Sequence, residues 1–162
     1  MSEPRTVSGE RPLAGLKVLD FSRVLAGPFA GRMLADLGAD VVKIEPPEGD
    51  VTRLWGRRIA GIAGYFAQQN AGKRDLCLDL SRPGAAELVA RLAQEADVVV
   101  ENFRPGVMDR LGIGYEILSA VNPRLVMLSI SGFGQAGPES GRAAYAPIVH
   151  AESGVVARQA LF

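Results

Sequence analysis

Two short apolar runs, Lys17–Phe21 and Asp40–Ile44, bracket a segment that opens on Gly27 and Pro28 and closes on Gly38. Proline suits a first helical turn because the N–H it lacks would have no partner there, and glycine tolerates the left-handed turn that ends a helix. Strand, helix and strand packed into fewer than about thirty residues is what a right-handed βαβ crossover requires. The two strands are therefore expected to lie parallel in one sheet, and this unit constrains every later assignment.

Beyond it the chain keeps alternating. Pro46, Pro47, Gly49, Gly56, Gly61, Gly64 and Gly72 break up residues 45–74, where loops and short helices are expected. Leu76, Leu78 and Leu80 alternate with Cys77 and Asp79, which predicts a strand. Ser81 and Pro83 then open an amphipathic helix through Leu88, Val89 and Leu92. Val98–Val100 reads as the next strand, followed by helical segments at Pro105–Leu111 and Tyr115–Val121 and a strand at Leu125–Ile130. Gly132, Gly134, Gly137 and Gly141 mark a loop before a last helix over Tyr145–Arg158. Residues 1–12 are polar and read as a flexible arm, leaving 13–162 as one domain. The pattern predicts an α/β, Rossmann-like, open and mostly parallel sheet with helices on both faces.

Charge narrows the function. Lys plus Arg and Asp plus Glu number 18 each, so no net field draws in a nucleic acid or an anionic membrane. Apolar stretches such as Val98–Val100 fall far short of the roughly 20 residues a bilayer span needs. Glu3, Arg5, Glu10 and Arg11 occupy the start without an apolar segment, so a secretory signal is not expected and the cytoplasm is the expected location. A lone Cys77 and a lone His150 offer neither an internal disulfide nor a zinc cluster, so no metal is expected. Trp55, Phe66 and Cys77 are read as packing residues.

Open parallel sheets collect ligands beyond the carboxyl ends of their strands, near the point where strand order reverses. That rule selects Ser22–Gly27, Glu101–Gly106 and Ser131–Gly134. A nicotinamide or flavin dinucleotide is the first alternative, since Glu45 closes the second strand where a ribose-binding acid would lie. The turn from Val24 to Gly31 lacks the G-x-G-x-x-G spacing that brings backbone against a pyrophosphate, and Gly31 is read instead as close helix-to-strand packing.

In these same segments the sequence resembles the family III CoA-transferases, which include formyl-CoA transferase, carnitine CoA-transferases and α-methylacyl-CoA racemase. The similarity lies in Pro12–Pro28, Leu37–Glu45, Asn70 with Lys73 and Arg74, Glu101–Gly106 with Asp109–Gly112, and Ser131–Gly134. The resemblance implies coenzyme A or an acyl-CoA as substrate, with no permanently bound cofactor, and a small carboxylic acid as the second substrate. It also implies an interlocked homodimer, of which this chain would be the N-terminal part. The segments matching Val24, Leu25, Ala26, Lys73, Asn102, Phe103 and Arg110 contact the coenzyme in family members. Arg74 and Arg104 join Lys73 and Arg110 as candidate cations, because guanidinium grips phosphate in two-point fashion and ammonium acts as a point charge.

Each residue also has a plainer reading. Val24 and Leu25 would serve as core, Lys73 and Arg74 as solvated loop charges, Asn102 as a helix cap, and Arg104 as a surface partner of Asp109 or Glu101.

The family's chemistry, as the resemblance implies, uses an aspartate that attacks the acyl-CoA, forms an anhydride and becomes an aspartyl-CoA thioester. That aspartate is expected beyond Phe162, so the 162 residues alone are expected to bind coenzyme A and not to turn over. An inactive coenzyme-binding fragment is the nonenzymatic alternative. Glu152 is the acid nearest the expected place, with a surface role as its alternative. Racemisation, the other branch, needs a histidine where this chain has Tyr145, and His150 follows too late to replace it directly.

Overall fold

The computed structural model describes residues 11–160. In chain order the elements are β1 (Lys17–Asp20), α1 (Ala26–Asp36), β2 (Asp40–Glu45), a 3-10 turn (Val51–Leu54), β3 (Arg58–Ile59), β4 (Ile62–Ala63) and α2 (Gly64–Asn70). They continue with β5 (Arg74–Cys77), α3 (Ala85–Ala93), β6 (Val98–Glu101), α4 (Val107–Arg110), α5 (Tyr115–Val121), β7 (Val126–Ser129), α6 (Ala146–Glu152) and α7 (Val155–Gln159). Five strands form one parallel sheet in the order β5-β2-β1-β6-β7, while β3 and β4 make a separate antiparallel pair.

The expected crossover is present. β1 pairs in parallel with β2, Lys17 opposite Asp40 and Asp20 opposite Lys43. Gly38 ends the crossover helix at φ +107°, a value open to glycine at little cost, and its N–H donates to the Ala35 carbonyl at 2.9 Å.

Successive strand residues point to opposite faces, so each run of apolar residues feeds two cores. On one face Val18 and Val100 pack with Ala35, Ala39 and Val41. On the other, Leu19, Phe21 and Val99 meet Val89, Ala93, Met108 and Leu118 from the helices that follow β5 and β6, and Ile113 from the connection between α4 and α5. Helices cover both faces as the alternation predicts.

The differences have local causes. β5 starts at Arg74 rather than Leu76 and ends at Cys77, because its ladder runs opposite Val42–Glu45; Leu80 lies beyond the strand. α4 starts at Val107 rather than Pro105, with Gly106 in the left-handed region before it. The expected last helix is two, since Gly154 at φ +76° divides it. Cys77 and Trp55 are exposed, contrary to the packing reading; Trp55 leans on Tyr65 at a centroid distance of 5.6 Å. Phe66 lies beneath the Arg53 guanidinium, 3.8 Å from its ring centroid. Residues 1–10 of the expected arm lie outside the described residues, and the Arg11 carbonyl accepts the Ala14 N–H at 2.9 Å. Among the described residues no helix is long and apolar enough to cross a membrane.

Candidate functional site

β1 has β2 on one side and β6 on the other, so strand order reverses between β1 and β6. The loops leaving these two strands border the crevice where ligands gather in such sheets. Asn102 fastens one loop to the other: its Oδ1 accepts the Arg23 N–H and its Nδ2 donates to the Arg23 carbonyl, each at 2.7 Å. Asn102 is thus a backbone clamp and not the cap of α4, whose first turn has no side-chain cap.

The turn after β1 is held residue by residue. Ser22 donates its N–H and hydroxyl to Asp20 Oδ1, while its carbonyl accepts from Lys43 Nζ at 2.7 Å. Val24 has φ +70°, and its N–H donates to Asp50 Oδ2 at 3.1 Å. Gly27 and Gly31 let α1 come close behind. A Cβ on Gly27 would sit 2.2 Å from Ser22 Cβ, and one on Gly31 would sit 2.5 Å from Asp20 Oδ2. The reading of Gly31 as a close-packing residue agrees with the structure, and Gly27 makes a similarly close approach.

Beneath the turn lie two ion pairs with almost no solvent contact. Lys73 Nζ reaches Asp20 Oδ2 at 2.7 Å, and Lys43 Nζ lies 3.3 Å from Asp50 Oδ2. The three donors of Lys73 go to Asp20, the Pro28 carbonyl and Asn70 Oδ1. Burial pushes the Lys73 pKa down, with partial compensation from the Asp20 charge. Asp50 behaves differently: burial opposes its charge, but the Thr52 N–H and hydroxyl, the Lys43 charge and the Val24 N–H together hold its pKa below the ordinary 3.8.

A depressed carboxylate pKa contributes stability above the unfolded value, and that contribution is lost as pH falls through the folded one. Acidification from pH 5 to below 3.8 should therefore lower the urea midpoint, and Asp50→Asn should flatten that slope. Glu101, raised chiefly by burial, acts with the opposite sign, so the comparison between wild type and Asp50→Asn is the readout. Equal slopes in the two proteins would contradict the assignment.

An open cleft of about 410 Å³ adjoins this turn, lined by residues that follow β1, β2, β5 and β6. Its walls include Pro46, Leu78, Leu80, Phe103 and Val107, with Arg23 as the cation, its guanidinium 5.3 Å over the Phe103 ring. Glu45, Glu48 and Asp79 line it as acids, Glu45 being paired with Arg53 and Asp79 with Arg82. Residues 78–81 were missed by sequence reasoning, which assigned their leucine alternation to a strand. The signal that finds them is their place just past the carboxyl end of β5.

The nine residues expected at the site fall into three groups. Val24, Leu25, Ala26, Asn102 and Phe103 come together at the turn, where exposed Leu25 is not a core residue. Arg104 lines a smaller cavity of about 190 Å³ with Glu101, Ser129 and Gln135, and Arg110 is exposed at the end of α4. Neither arginine has an ion pair among the described residues. Lys73 is buried, contrary to the solvated-charge reading, and Arg74 forks onto Asp40 at 2.9 and 2.6 Å at the opposite end of the sheet. Glu45, the acid considered for a ribose, accepts from Arg53 through both oxygens.

Comparison with known proteins agrees with this topology. The model of CoA-transferase family III matches residues 13–161. An acetyl-CoA:oxalate CoA-transferase of Acetobacter aceti is 46% identical over 157 residues, covering 96% of this chain and 40% of the relative. A succinate–glutarate CoA-transferase of Agrobacterium fabrum is 47% identical over 151 residues, covering 88% of this chain and 38% of that protein. The crystal structure of a CAIB/BAIF family protein from Brucella suis superimposes with a TM-score of 0.85 at 47% identity, covering 91% of this chain and 40% of that one. The chain therefore spans about two fifths of the length of these relatives. By sequence and by fold, it belongs to CoA-transferase family III.

Proposed function

We propose that this chain supplies the coenzyme-A-binding portion of an acyl-CoA:carboxylate CoA-transferase. The observation that carries the reading is the cleft beside the switch-point turn, apolar along Leu78, Leu80, Phe103 and Val107 and carrying the Arg23 cation. Coenzyme A is an aromatic base, a set of phosphates and a thin apolar arm. An apolar slot with a guanidinium suits the base and a phosphate, and the exposed Leu25–Ala26 step suits the arm. Phe103 forms a wall in this reading, and Val24 links the Arg23 side of the cleft to the Leu25–Ala26 step. Arg104 and Arg110 stand ready as further phosphate partners, while Lys73 and Asn102 hold the turn from behind. Arg74 is the expected contact with least support, since it faces the far end of the sheet.

The covalent step that family membership implies needs an unpaired carboxylate. Attack on the acyl-CoA carbonyl expels the thiolate and leaves a mixed anhydride; the thiolate then returns to the aspartyl carbonyl and releases the first acid. Asp20, Asp36, Asp40, Asp50, Asp75 and Asp79 are each paired with a cation, and Asp97 accepts the Lys17 N–H at 2.9 Å. Glu152 is paired with Arg142. Asp109, the eighth aspartate, has no ion pair among the described residues and lines the smaller cavity. A nucleophile outside the described residues therefore rests on the family resemblance together with the engagement of the other seven. Coenzyme binding is the activity proposed for this portion. His150 is exposed and Tyr145 stands at the N-cap of α6, which favours transfer over racemisation. The exposed stripe of Phe29 and Met33 on α1 and Leu37 at its C-cap supports burial against a second subunit in a homodimer.

Titration calorimetry with coenzyme A tests the reading. Measurable heat is expected, and Arg23→Ala should weaken binding about tenfold, the equivalent of one charge-assisted contact. No heat from a folded sample removes the proposal.

A further inference from the structure

Valine is a poor choice for a left-handed turn. Its two γ-methyl groups crowd the backbone when φ is positive, so a β-branched residue there is an outlier that neighbouring structure must enforce. Val24, at φ +70°, stands at the one loop where β1 and β6 diverge. Its N–H reaches a single acceptor, Asp50 Oδ2, 26 residues further along.

Asp50 is itself fixed on every side. Its Oδ1 accepts the Thr52 N–H at 3.0 Å and the Thr52 hydroxyl at 2.9 Å. Its own N–H donates to Glu45 Oε2 at 3.0 Å, and Glu45 is held in turn by Arg53. Lys43 stands beside Asp50 Oδ2 and spends a second donor on the Ser22 carbonyl, two residues before Val24. The pair thus grips the turn at both ends, Lys43 on Ser22 and Asp50 on Val24. The Asp50 side chain is fully buried, so no water replaces it as the acceptor.

We infer that Asp50 is a positioning residue for the coenzyme: its carboxylate holds Val24 in the left-handed conformation that aims Arg23 and Leu25–Ala26 at the ligand. This role rests on the coenzyme reading proposed above. Without the carboxylate, Val24 relaxes to negative φ, and Leu25–Ala26 take a new direction relative to Arg23, whose backbone Asn102 holds in place. Glycine adopts φ +70° without restraint, so the need for Asp50 should vanish when residue 24 has no side chain.

A double-mutant cycle on the full chain separates this role from a general effect on folding. Coenzyme A affinity is measured by calorimetry, and stability by denaturant unfolding, for Asp50→Ala and Asp50→Asn in the wild-type and Val24→Gly backgrounds. Asp50→Ala should weaken binding about tenfold, the effect of one lost hydrogen bond to a charged group. In the Val24→Gly background the same substitution should weaken it by no more than about twofold, while its effect on stability persists because Lys43 still lacks its counter-charge. Asn leaves one carbonyl oxygen to serve either Thr52 or Val24, so Asp50→Asn gives the same pattern at smaller amplitude if Asp50→Ala does not fold. Equal losses of affinity in both backgrounds overturn the positioning role and leave the coenzyme reading intact. Absence of binding by the unaltered chain overturns both.

Discussion

Replacing Lys73 with methionine is expected to destabilise the protein by about 3–5 kcal/mol, the cost of stranding a buried charge. The Lys73 and Asp20 side chains are 1% and 0% exposed, so no solvent is at hand to take over when one partner is removed. Methionine fills much of the same volume, which isolates the charge effect from a cavity effect. An exposed pair such as Arg74 with Asp40 should cost no more than about 1 kcal/mol, because water screens it and re-solvates the survivor. A variant combining Lys73→Met with Asp20→Asn should recover most of the loss. The amide keeps an oxygen for the Ser22 N–H and hydroxyl while leaving no charge to bury. Denaturant unfolding of the four proteins gives the coupling directly. Additive losses would mean that the pair is not the unit described.

Alanine at Gly27 should also destabilise, by about 1–3 kcal/mol, and should abolish ligand binding at the cleft. In an ordinary helix the same change gains up to about 1 kcal/mol, since alanine is the better helix former. Geometry reverses the sign. The new methyl would sit 2.2 Å from Ser22 Cβ and 3.2 Å from Asn102 Cγ, both attached to backbone that the turn cannot release. Relief requires α1 to back away from β1 or Asn102 to leave Arg23, and either movement opens the crevice. Gly64→Ala is the control: it lies at the start of α2, with its nearest neighbour an ordinary 3.5 Å away. A Gly27→Ala protein as stable as wild type would contradict the close approach.

How far the sequence reveals these features depends on range. The β1–α1–β2 unit follows from Gly27–Pro28, Gly38 and two apolar runs, all local signals. The sheet class follows from repeating that alternation. The Leu76–Leu80 alternation misleads because strand extent is set by the partner: β2 offers its ladder from Val42 to Glu45, and β5 ends with it at Cys77. Tyr145–Arg158 has helical composition throughout, yet one left-handed glycine at 154 divides it. Lys73 is visible as a cation near the right motif. Its burial against an aspartate 53 positions earlier is a tertiary fact that no local pattern encodes. Asn102 likewise has the composition of a cap, and only the neighbourhood of β1 and β6 turns it into a clamp on Arg23.

That clamp joins residues 79 positions apart. Because Arg23 and Asn102 leave adjacent strands, neither can meet the other until β6 has docked beside β1, which is a late, non-local event for a parallel sheet. A growing polypeptide that has emerged only as far as α3 carries half of the crevice and no means of closing it. Ligand capture and completion of the sheet are consequently one transition, and retention on an immobilised coenzyme would select molecules whose central strands are already in place.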